Sequence, residues 1–301
     1  MLSIIIPSFN TRNLLETCLD SIIKHSKNLQ YEIIIVDNAS NYDIAKQLDS
    51  FKRKTKARIV LVKNSSNLGF ARACNQGIKN SSGEFILFLN SDTEFVDNAL
   101  QKSLNFLNSN QNFDILGCQL LNKDNTIQPS AGFFPKLRQI GLMMFFIDDI
   151  PLINRFINPY HQNRISFYKK TQKVDWVTGA FLLAKADIFK KINGFDEDYF
   201  MYAEEVDLCF RAKKTGFEVV YYPGAKIIHH KEASPRELSQ NAVIAEFKGL
   251  KLFFAKNKPS WEMPFLRLFL KIGSLLRVLF FGILLANAKT KQIYLQAFAV
   301  A

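Results

Sequence analysis

The chain has 301 residues, of which 48% are hydrophobic and 22% charged, a balance that argues against a disordered protein. Its formal charge of +12 favours an anionic partner: nucleic acid, an anionic membrane surface or a phosphate-bearing substrate. The four cysteines show neither a C-x-x-C pair nor zinc-site spacing, so we expect buried thiols in a reducing compartment. The first ten residues lack the features of a signal peptide, so we expect a cytoplasmic protein.

The first hundred residues alternate short β-rich runs with helical patterns. Strands are predicted at residues 2–6, 31–36, 59–62 and 84–89, and helices at 13–24 and 71–79. Asn10 or Thr11 is the candidate cap of the first helix. Near-continuous apolar strands that alternate with helices predict a parallel sheet covered on both faces. Ligands of such sheets bind beyond the carboxyl ends of the strands.

Polar residues follow three of these predicted strands. Each group is common in turns and caps, which is the alternative interpretation for any one of them. Their joint occurrence at one edge of the sheet favours a nucleotide site. The residues are Pro7, Ser8 and Asn10 after the first strand, Asp37 and Asn38 after the second, and Asn90, Ser91 and Asp92 after the fourth.

The second half of the chain is less regular. A helix is predicted at residues 203–215, where Gly216 ends it, and strands at 217–222 and 226–229. From residue 239 onward the pattern is helical and strongly apolar.

Five sequence motifs occur in the order found in a known family. They are I-I-P-S-F-N, V-D-N-A-S, N-L-G-F-A-R-A-C-N, L-N-S-D-T and the long G-F-D-E-D-Y-F-M-Y-A-E-E-V-D-L-C-F-R. Over residues 2–234 the chain resembles the family 2 glycosyltransferases with a GT-A fold, particularly the rhamnosyltransferase-like branch of bacterial polysaccharide assembly. The resemblance implies an α/β fold, a Rossmann-like mixed sheet flanked by helices. It also implies inverting transfer of rhamnose or another hexose from a dTDP or UDP donor to a glycan or lipid-linked acceptor.

The resemblance also implies a donor site. Asp37 would hold the base, with Pro7 to Asn10 alongside, and Asn67, Gly69 and Asn75 would line the ribose and sugar. Asn90-Ser91-Asp92 takes the place of the family's D-x-D signature, with Asn90 in place of the first Asp. The residue expected to bind a divalent cation, Mn²⁺ or Mg²⁺, is Asp92. His229, the first His of H-x-x-x-x-S with Ser234, is the second expected ligand, and His230 is its alternative.

The same resemblance supplies catalytic and acceptor residues. Glu204 and Glu205 match the family's E-D pair, whose second member is the base that takes the acceptor proton. Glu205 replaces the usual Asp, and the extra methylene moves its carboxylate by about 1.5 Å. The alternative is that these acids favour a helix N-terminus, and Asp207 with Arg211 is predicted to form a structural i,i+4 pair. Expected acceptor residues are Trp176, Thr178 and Gly179, although Trp176 could equally belong to the core.

We therefore predict a GT-A domain at residues 1–235, with a donor half at 1–100 and an acceptor half at 101–235. Residues 236–301 form the predicted helical extension. Between residues 264 and 286 the polar Arg267, Lys271, Ser274 and Arg277 fall on one helical face of an apolar segment. Such a segment is too charged to span a bilayer, but it suits an amphipathic helix on the anionic inner face of the cell membrane. Packing on the catalytic domain is the alternative.

Three other functions remain open from the residues alone. A sugar nucleotidyltransferase needs a Gly-rich phosphate loop, and residues 7–12 contain no glycine. A nucleic-acid-binding protein is suggested only by the net charge, and no recognition motif supports it, so we expect no nucleic-acid partner. A non-catalytic homologue that binds donor or membrane stays open because Asn90 and Glu205 depart from the family pattern.

Overall fold

The computed structural model describes residues 1–154, 156–231 and 236–301. It divides the chain into two compact units. The sheet unit comprises Met1–Ala131, Arg164–Phe200 and Glu205–Ala233, and the helical unit comprises Gly132–Asn163, Met201–Glu204 and Ser234–Ala301.

Helices and strands alternate through the first half of the chain, as the sequence predicts. The elements are β1 (Leu2–Ser8), α1 (Arg12–His25), β2 (Tyr31–Asp37), α2 (Ile44–Lys54), β3 (Arg58–Lys63), α3 (Phe70–Asn80), β4 (Phe85–Leu89), β5 (Thr93–Phe95), α4 (Ala99–Ser109), β6 (Ile115–Leu121) and β7 (Ile127–Gln128).

The second half contains shorter strands and most of the long helices. The elements are β8 (Ala131–Gly132), α5 (Leu137–Met144), α6 (Pro151–Asn154), a 3-10 helix (Ile165–Lys169), β9 (Gln172–Val174), β10 (Trp176–Val177), β11 (Phe181–Lys185), α7 (Ala186–Lys191), α8 (Glu204–Lys214), β12 (Val219–His229), α9 (Arg236–Asn257), α10 (Glu262–Arg277), a π-helix (Val278–Leu284) and α11 (Ala288–Val300).

The main sheet is mixed, with the strand order β3-β2-β1-β4-β11-β6-β12-β5. Strands β1 to β4 pair in parallel, whereas β11 is antiparallel to both of its neighbours, β4 and β6. Helices flank this sheet, which confirms the predicted α/β architecture. The parallel half places the carboxyl ends of β1, β2 and β4 along one edge.

The core of the sheet unit follows from the sequence pattern. Every residue of β2 is buried, as expected for a strand covered on both faces. Helix α1 buries Leu15, Cys18, Leu19 and Ile22, whose spacing of three and four residues places them on one face.

One predicted pair of strands and one predicted helix cap differ in the structure. The strands expected at 217–222 and 226–229 form one strand, β12, whose register shifts between Tyr222 and Lys226. Thr11 occupies the N-cap of α1 but makes no side-chain cap hydrogen bond, because its hydroxyl lies 3.0 Å from that of Ser8.

In the helical unit, α10 packs closely against α5. A side chain on Gly273 would lie 2.6 Å from Cβ of Met144, too close for any residue other than glycine. The predicted polar face of this segment is wrong in part, because two of its four members point inward. Ser274 is fully buried and donates to the Leu270 carbonyl, and Arg277 donates to the Met143 and Met144 carbonyls that end α5. Within the described residues, every helix is too short or too polar to cross a bilayer.

Candidate active site

The ends of β1 and β2 meet at the edge of the sheet where the sequence predicts a nucleotide site. Ser8 and Asp37 are partners in the parallel register, and Asp37 is buried. Oδ1 of Asp37 accepts the backbone N–H of Ser40 at 2.9 Å, a turn-forming contact that leaves Oδ2 for other donors. Asn10 joins the two loops, since its N–H donates to the Ser40 hydroxyl and its Oδ1 accepts from the Asn41 N–H.

Three of the predicted donor-site residues form one hydrogen-bonded chain. The buried amide of Asn38 donates to the Gly69 carbonyl at 3.1 Å, and the N–H of Gly69 donates to Oδ1 of Asn67 at 3.0 Å. Gly69 has φ +87°, and a Cβ there would lie 2.4 Å from the carbonyl oxygen of Phe200. The structure thus brings the second and third motifs together with the segment that precedes the glutamate pair.

Asn75 makes its contacts with the start of the long fifth motif. Its Oδ1 accepts from the Phe195 N–H at 2.8 Å, and its Nδ2 donates to the Phe195 carbonyl at 2.9 Å and to Glu197 at 3.0 Å. These bonds use both ends of the amide to hold residues 195–197. Its expected contact with the donor stays a prediction.

Asp92 and His229 lie side by side because β5 and β12 are antiparallel neighbours, with His229 opposite Thr93. Oδ1 of Asp92 is 3.4 Å from Nε2 of His229, and Nδ2 of Asn90 is 3.3 Å from the same nitrogen. The ring of His230 lies instead 3.2 Å from Glu94. Ser234, which ends the H-x-x-x-x-S pattern, lies outside the described residues.

The Asp92–His229 pair has the chemistry and the spacing of two ligands to one divalent cation. Two ligand atoms at right angles about 2.1 Å from one ion stand roughly 3 Å apart, close to the separation of this buried carboxylate oxygen and imidazole nitrogen. Among the described residues, no group of three or more His, Cys, Asp or Glu is arranged to hold a metal. Oxygens of water or of a bound diphosphate could complete the coordination of a cation at this pair.

The glutamate pair begins helix α8. Glu204 is buried and Glu205 is partly buried. The two residues before them, Tyr202 and Ala203, both have left-handed backbone conformations, at φ 70° and 68°. Left-handed non-glycine residues cost of order 1 kcal/mol each and cluster at functional sites. The sequence gives no sign of this strain.

The predicted pair of Asp207 and Arg211 is present and holds α8 in place. Nε of Arg211 donates to Oδ2 of the buried Asp207 at 2.6 Å, and its Nη1 donates to the Ile192 carbonyl just after α7. This confirms the predicted i,i+4 pair.

The expected acceptor residues lie near one another in sequence and differ in exposure. Trp176 is 5% exposed, so in this structure it belongs mainly to the core. Gly179 faces Phe70, since a Cβ there would lie 3.1 Å from that ring. The N–H of Thr178 donates to the Ser130 carbonyl at 3.0 Å. Contact of these residues with an acceptor stays a prediction.

Two residues at the site were not predicted from the sequence. Gln128 contacts the ring of His229, with its Oε1 2.7 Å from Nδ1. Tyr42 is partly buried beside the strand ends, and burial raises the pKa of its hydroxyl. Neither residue lies in a motif, so local sequence carries no signal for them.

Comparison with known proteins assigns the chain to a family. The model of glycosyl transferase family 2 matches residues 3–191, and the chain belongs to this family. An N-acetylglucosaminyl-diphospho-decaprenol L-rhamnosyltransferase of Mycobacterium tuberculosis is 30% identical over 192 residues, which cover 64% of this chain and 61% of that protein. A rhamnosyltransferase of Escherichia coli K12 is 27% identical over 176 residues, 58% of this chain and 63% of its own length. The chain thus matches less than two thirds of the length of these relatives.

A solved structure has the same fold. It is a mannosyltransferase from Pyrobaculum calidifontis in complex with GDP-Man and Mn²⁺, with a TM-score of 0.63 at 18% identity over 99% of this chain and 86% of that one. The likeness supports the GT-A fold of the present chain.

Proposed function

We propose that this chain is an inverting glycosyltransferase that moves a sugar from a nucleotide diphosphate donor to an acceptor hydroxyl. The observation that carries the proposal is the Asp92–His229 pair, which lies beside the strand ends of a sheet in a chain of glycosyl transferase family 2. Rhamnose is the favoured sugar and a lipid-linked glycan the favoured acceptor, because the names of two relatives state rhamnosyl transfer and one states a diphospho-decaprenol acceptor. Such a reaction belongs to cell-surface polysaccharide assembly.

In this proposal the edge of the sheet binds the donor. Asp37 accepts from the base, and the turns at Pro7–Asn10 and Asn67–Gly69 shape the space for the ribose and the sugar. Asp92 and His229 would hold Mn²⁺ or Mg²⁺, and that cation would stabilise the charge of the departing diphosphate. Asn90 donates towards His229 and leaves Asp92 as the carboxylate of the D-x-D position.

Glu205 is the proposed general base. Inverting transfer is a single displacement, in which the acceptor hydroxyl attacks the anomeric carbon as a base removes its proton. The left-handed residues that precede α8 hold the glutamate pair at the start of the helix, and Arg211 fixes the rest of that turn through Asp207. Glu204 is the second proposed catalytic residue, and Trp176, Thr178 and Gly179 are the proposed acceptor residues.

Calorimetric titration with UDP and with dTDP, each with and without Mn²⁺, tests the donor site. We expect metal-dependent binding of at least one nucleotide, and the ratio of their affinities gives the preferred base. The matched variants are Asp92→Asn, which removes the buried carboxylate, and Asp49→Asn, which removes an exposed one. Metal-independent binding, or equal binding by both variants, would contradict the proposal.

We also propose that residues 236–301 hold the catalytic domain, residues 1–235, at the inner face of the cell membrane. Four apolar side chains on and just before α10 are between 45% and 62% exposed: Trp261, Phe265, Leu268 and Leu275. Their spacing of four, three and seven residues places them on one side of the helix, opposite the buried Leu266 and Leu270. We call these four residues the apolar stripe.

Two exposed cations lie beside the apolar stripe. Arg267 and Lys271 lie to one side of it on the same helix, where they can meet anionic headgroups while the stripe enters the acyl boundary. Each cation near an anionic surface contributes about 1 kcal/mol to binding. The membrane partner is therefore an anionic lipid surface.

Vesicle sedimentation tests this association. Wild-type protein should sediment with vesicles that contain phosphatidylglycerol and less with pure phosphatidylcholine. Replacement of Phe265 and Leu268 by Ser should abolish sedimentation, whereas Val96→Ser, at an exposed apolar residue of the sheet unit, should have no effect. Failure of the wild type to bind anionic vesicles would overturn the membrane role and leave the donor site unaffected.

A further inference from the structure

A buried glutamine lies behind the imidazole of His229. Gln128 ends β7, which pairs with β6 through Leu120, and it is 2% exposed. Its Nε2 donates to two oxygens, the backbone carbonyl of His229 at 3.1 Å and Oδ1 of Asn122 at 2.9 Å. Because a backbone carbonyl can only accept, these two bonds fix the orientation of the Gln128 amide.

The fixed amide sets the tautomer of His229. Oε1 of Gln128 is an acceptor that lies 2.7 Å from Nδ1, so Nδ1 must carry the proton. In a neutral imidazole the other nitrogen, Nε2, then holds a lone pair. That lone pair faces the Asp92 carboxylate oxygen at 3.4 Å and can accept from the Asn90 amide at 3.3 Å.

The result is a pair of acceptor atoms, one carboxylate oxygen and one imidazole nitrogen, turned towards the same point. A cation between them is attracted by both, whereas the opposite tautomer would present an N–H that repels it. Metal-binding histidines commonly have such a partner on the second ring nitrogen, and its loss weakens metal affinity about 10- to 100-fold.

We propose that Gln128 is a positioning residue, which holds His229 in the Nδ1–H tautomer with Nε2 towards Asp92 and so raises the affinity of the site for a divalent cation. The part that concerns the metal rests on the proposed function. The part that concerns the tautomer depends only on the contacts of Gln128.

The tautomer is measured in metal-free protein by long-range ¹H–¹⁵N correlation of the histidine rings, under conditions where the imidazoles are neutral. The chain has four histidines, so loss of one signal set in His229→Gln assigns the ring. We expect the Nδ1–H form in wild type and loss of that preference in Gln128→Met. Gln139→Met is the matched control, since Gln139 is a buried glutamine that donates to the Asn158 carbonyl of the helical unit.

Metal affinity is measured by electron paramagnetic resonance of Mn²⁺ in the presence of UDP and, separately, of dTDP. Gln128→Met should weaken Mn²⁺ binding about 10- to 100-fold, with Gln139→Met close to wild type. An Nε2–H form in wild type, or a Gln128→Met protein with unchanged tautomer and unchanged Mn²⁺ affinity, would overturn the proposal. Absence of Mn²⁺ binding by wild type would refute the metal site and with it the metal part, while the ring spectra would still decide the tautomer.

Discussion

The carbonyl oxygen of Phe200 stands where a side chain on Gly69 would have to lie. It accepts the N–H of Phe70 at 2.7 Å, at the start of α3, and a Cβ on Gly69 would approach it to 2.4 Å. This contact joins the N-L-G-F turn to the segment that leads into the glutamate pair. The third and fifth motifs, which are far apart in sequence, therefore meet through the backbone.

Gly69→Ala should destabilise the protein and weaken nucleotide binding. The matched control is Gly216→Ala, because Gly216 also has a left-handed backbone, φ +93°, but has nothing within 4 Å of an added Cβ. Gly216→Ala should cost about 1 kcal/mol from backbone strain alone, and Gly69→Ala about 1–3 kcal/mol more. Urea unfolding measures both, and equal costs would show that the Phe200 contact is unimportant.

Stability should depend on a buried carboxylate in β2. Burial acts to raise the pKa of Glu32, but hydrogen bonds from Ser3, Ser82 and Arg58 outweigh it and hold the pKa below its ordinary value of 4.5. A lowered folded-state pKa contributes stability that is present above 4.5 and is lost as the pH falls below it. Glu32→Gln should cost about 1–3 kcal/mol at neutral pH, and less in acid.

Unfolding free energies of wild type and Glu32→Gln across pH 3 to 8 check this prediction. Asp20→Asn is the control, because Asp20 pairs with Lys54 on the exposed surface. A difference between wild type and Glu32→Gln that stays constant with pH would contradict the account of Glu32.

Glu205→Gln should abolish sugar transfer and leave nucleotide binding intact. Loss of a general base lowers turnover by about 10²- to 10⁴-fold, whereas the proposed donor-binding residues lie at the edge of the sheet. Glu16→Gln, on the exposed face of α1, is the control. Unchanged turnover would remove Glu205 as the base. Intact binding without any wild-type turnover, across a panel of sugar nucleotides, would favour the non-catalytic homologue.

The two adjacent histidines should differ in metal binding. His229→Ala should weaken Mn²⁺ binding in the presence of UDP or dTDP, because its Nε2 faces Asp92. His230→Ala should have little effect, since its ring lies beside Glu94. Electron paramagnetic resonance measures Mn²⁺ binding by both variants. A larger effect of His230→Ala would show that His230, and not His229, is the ligand.

Much of the sheet could be predicted because its signals are local. Apolar runs gave the first four strands, and polar residues at their ends gave the edge where Ser8 and Asp37 meet. Helix α2 was not predicted, since only three of its 11 residues, Ile44, Leu48 and Phe51, are buried and its apolar face is therefore narrow.

Other features depend on contacts between distant residues. Gln128 and His229 are 101 positions apart, so no local pattern shows their contact. The inward side of α10 was mispredicted because a cation usually faces solvent, whereas Arg277 donates to the Met143 and Met144 carbonyls at the end of α5. Strain at Tyr202 and Ala203 is likewise imposed by the fold and not by the residue types.

The central claim, metal-dependent sugar transfer at the Asp92–His229 pair, is tested most directly by turnover. The measurement is release of dTDP from dTDP-rhamnose and of UDP from UDP-hexoses, with bacterial membranes as the source of acceptor, with and without Mn²⁺. We expect release from at least one donor that requires Mn²⁺ and is lost in Asp92→Asn but retained in Asp49→Asn. Release that persists without a divalent cation, or in Asp92→Asn at the wild-type rate, would contradict the account.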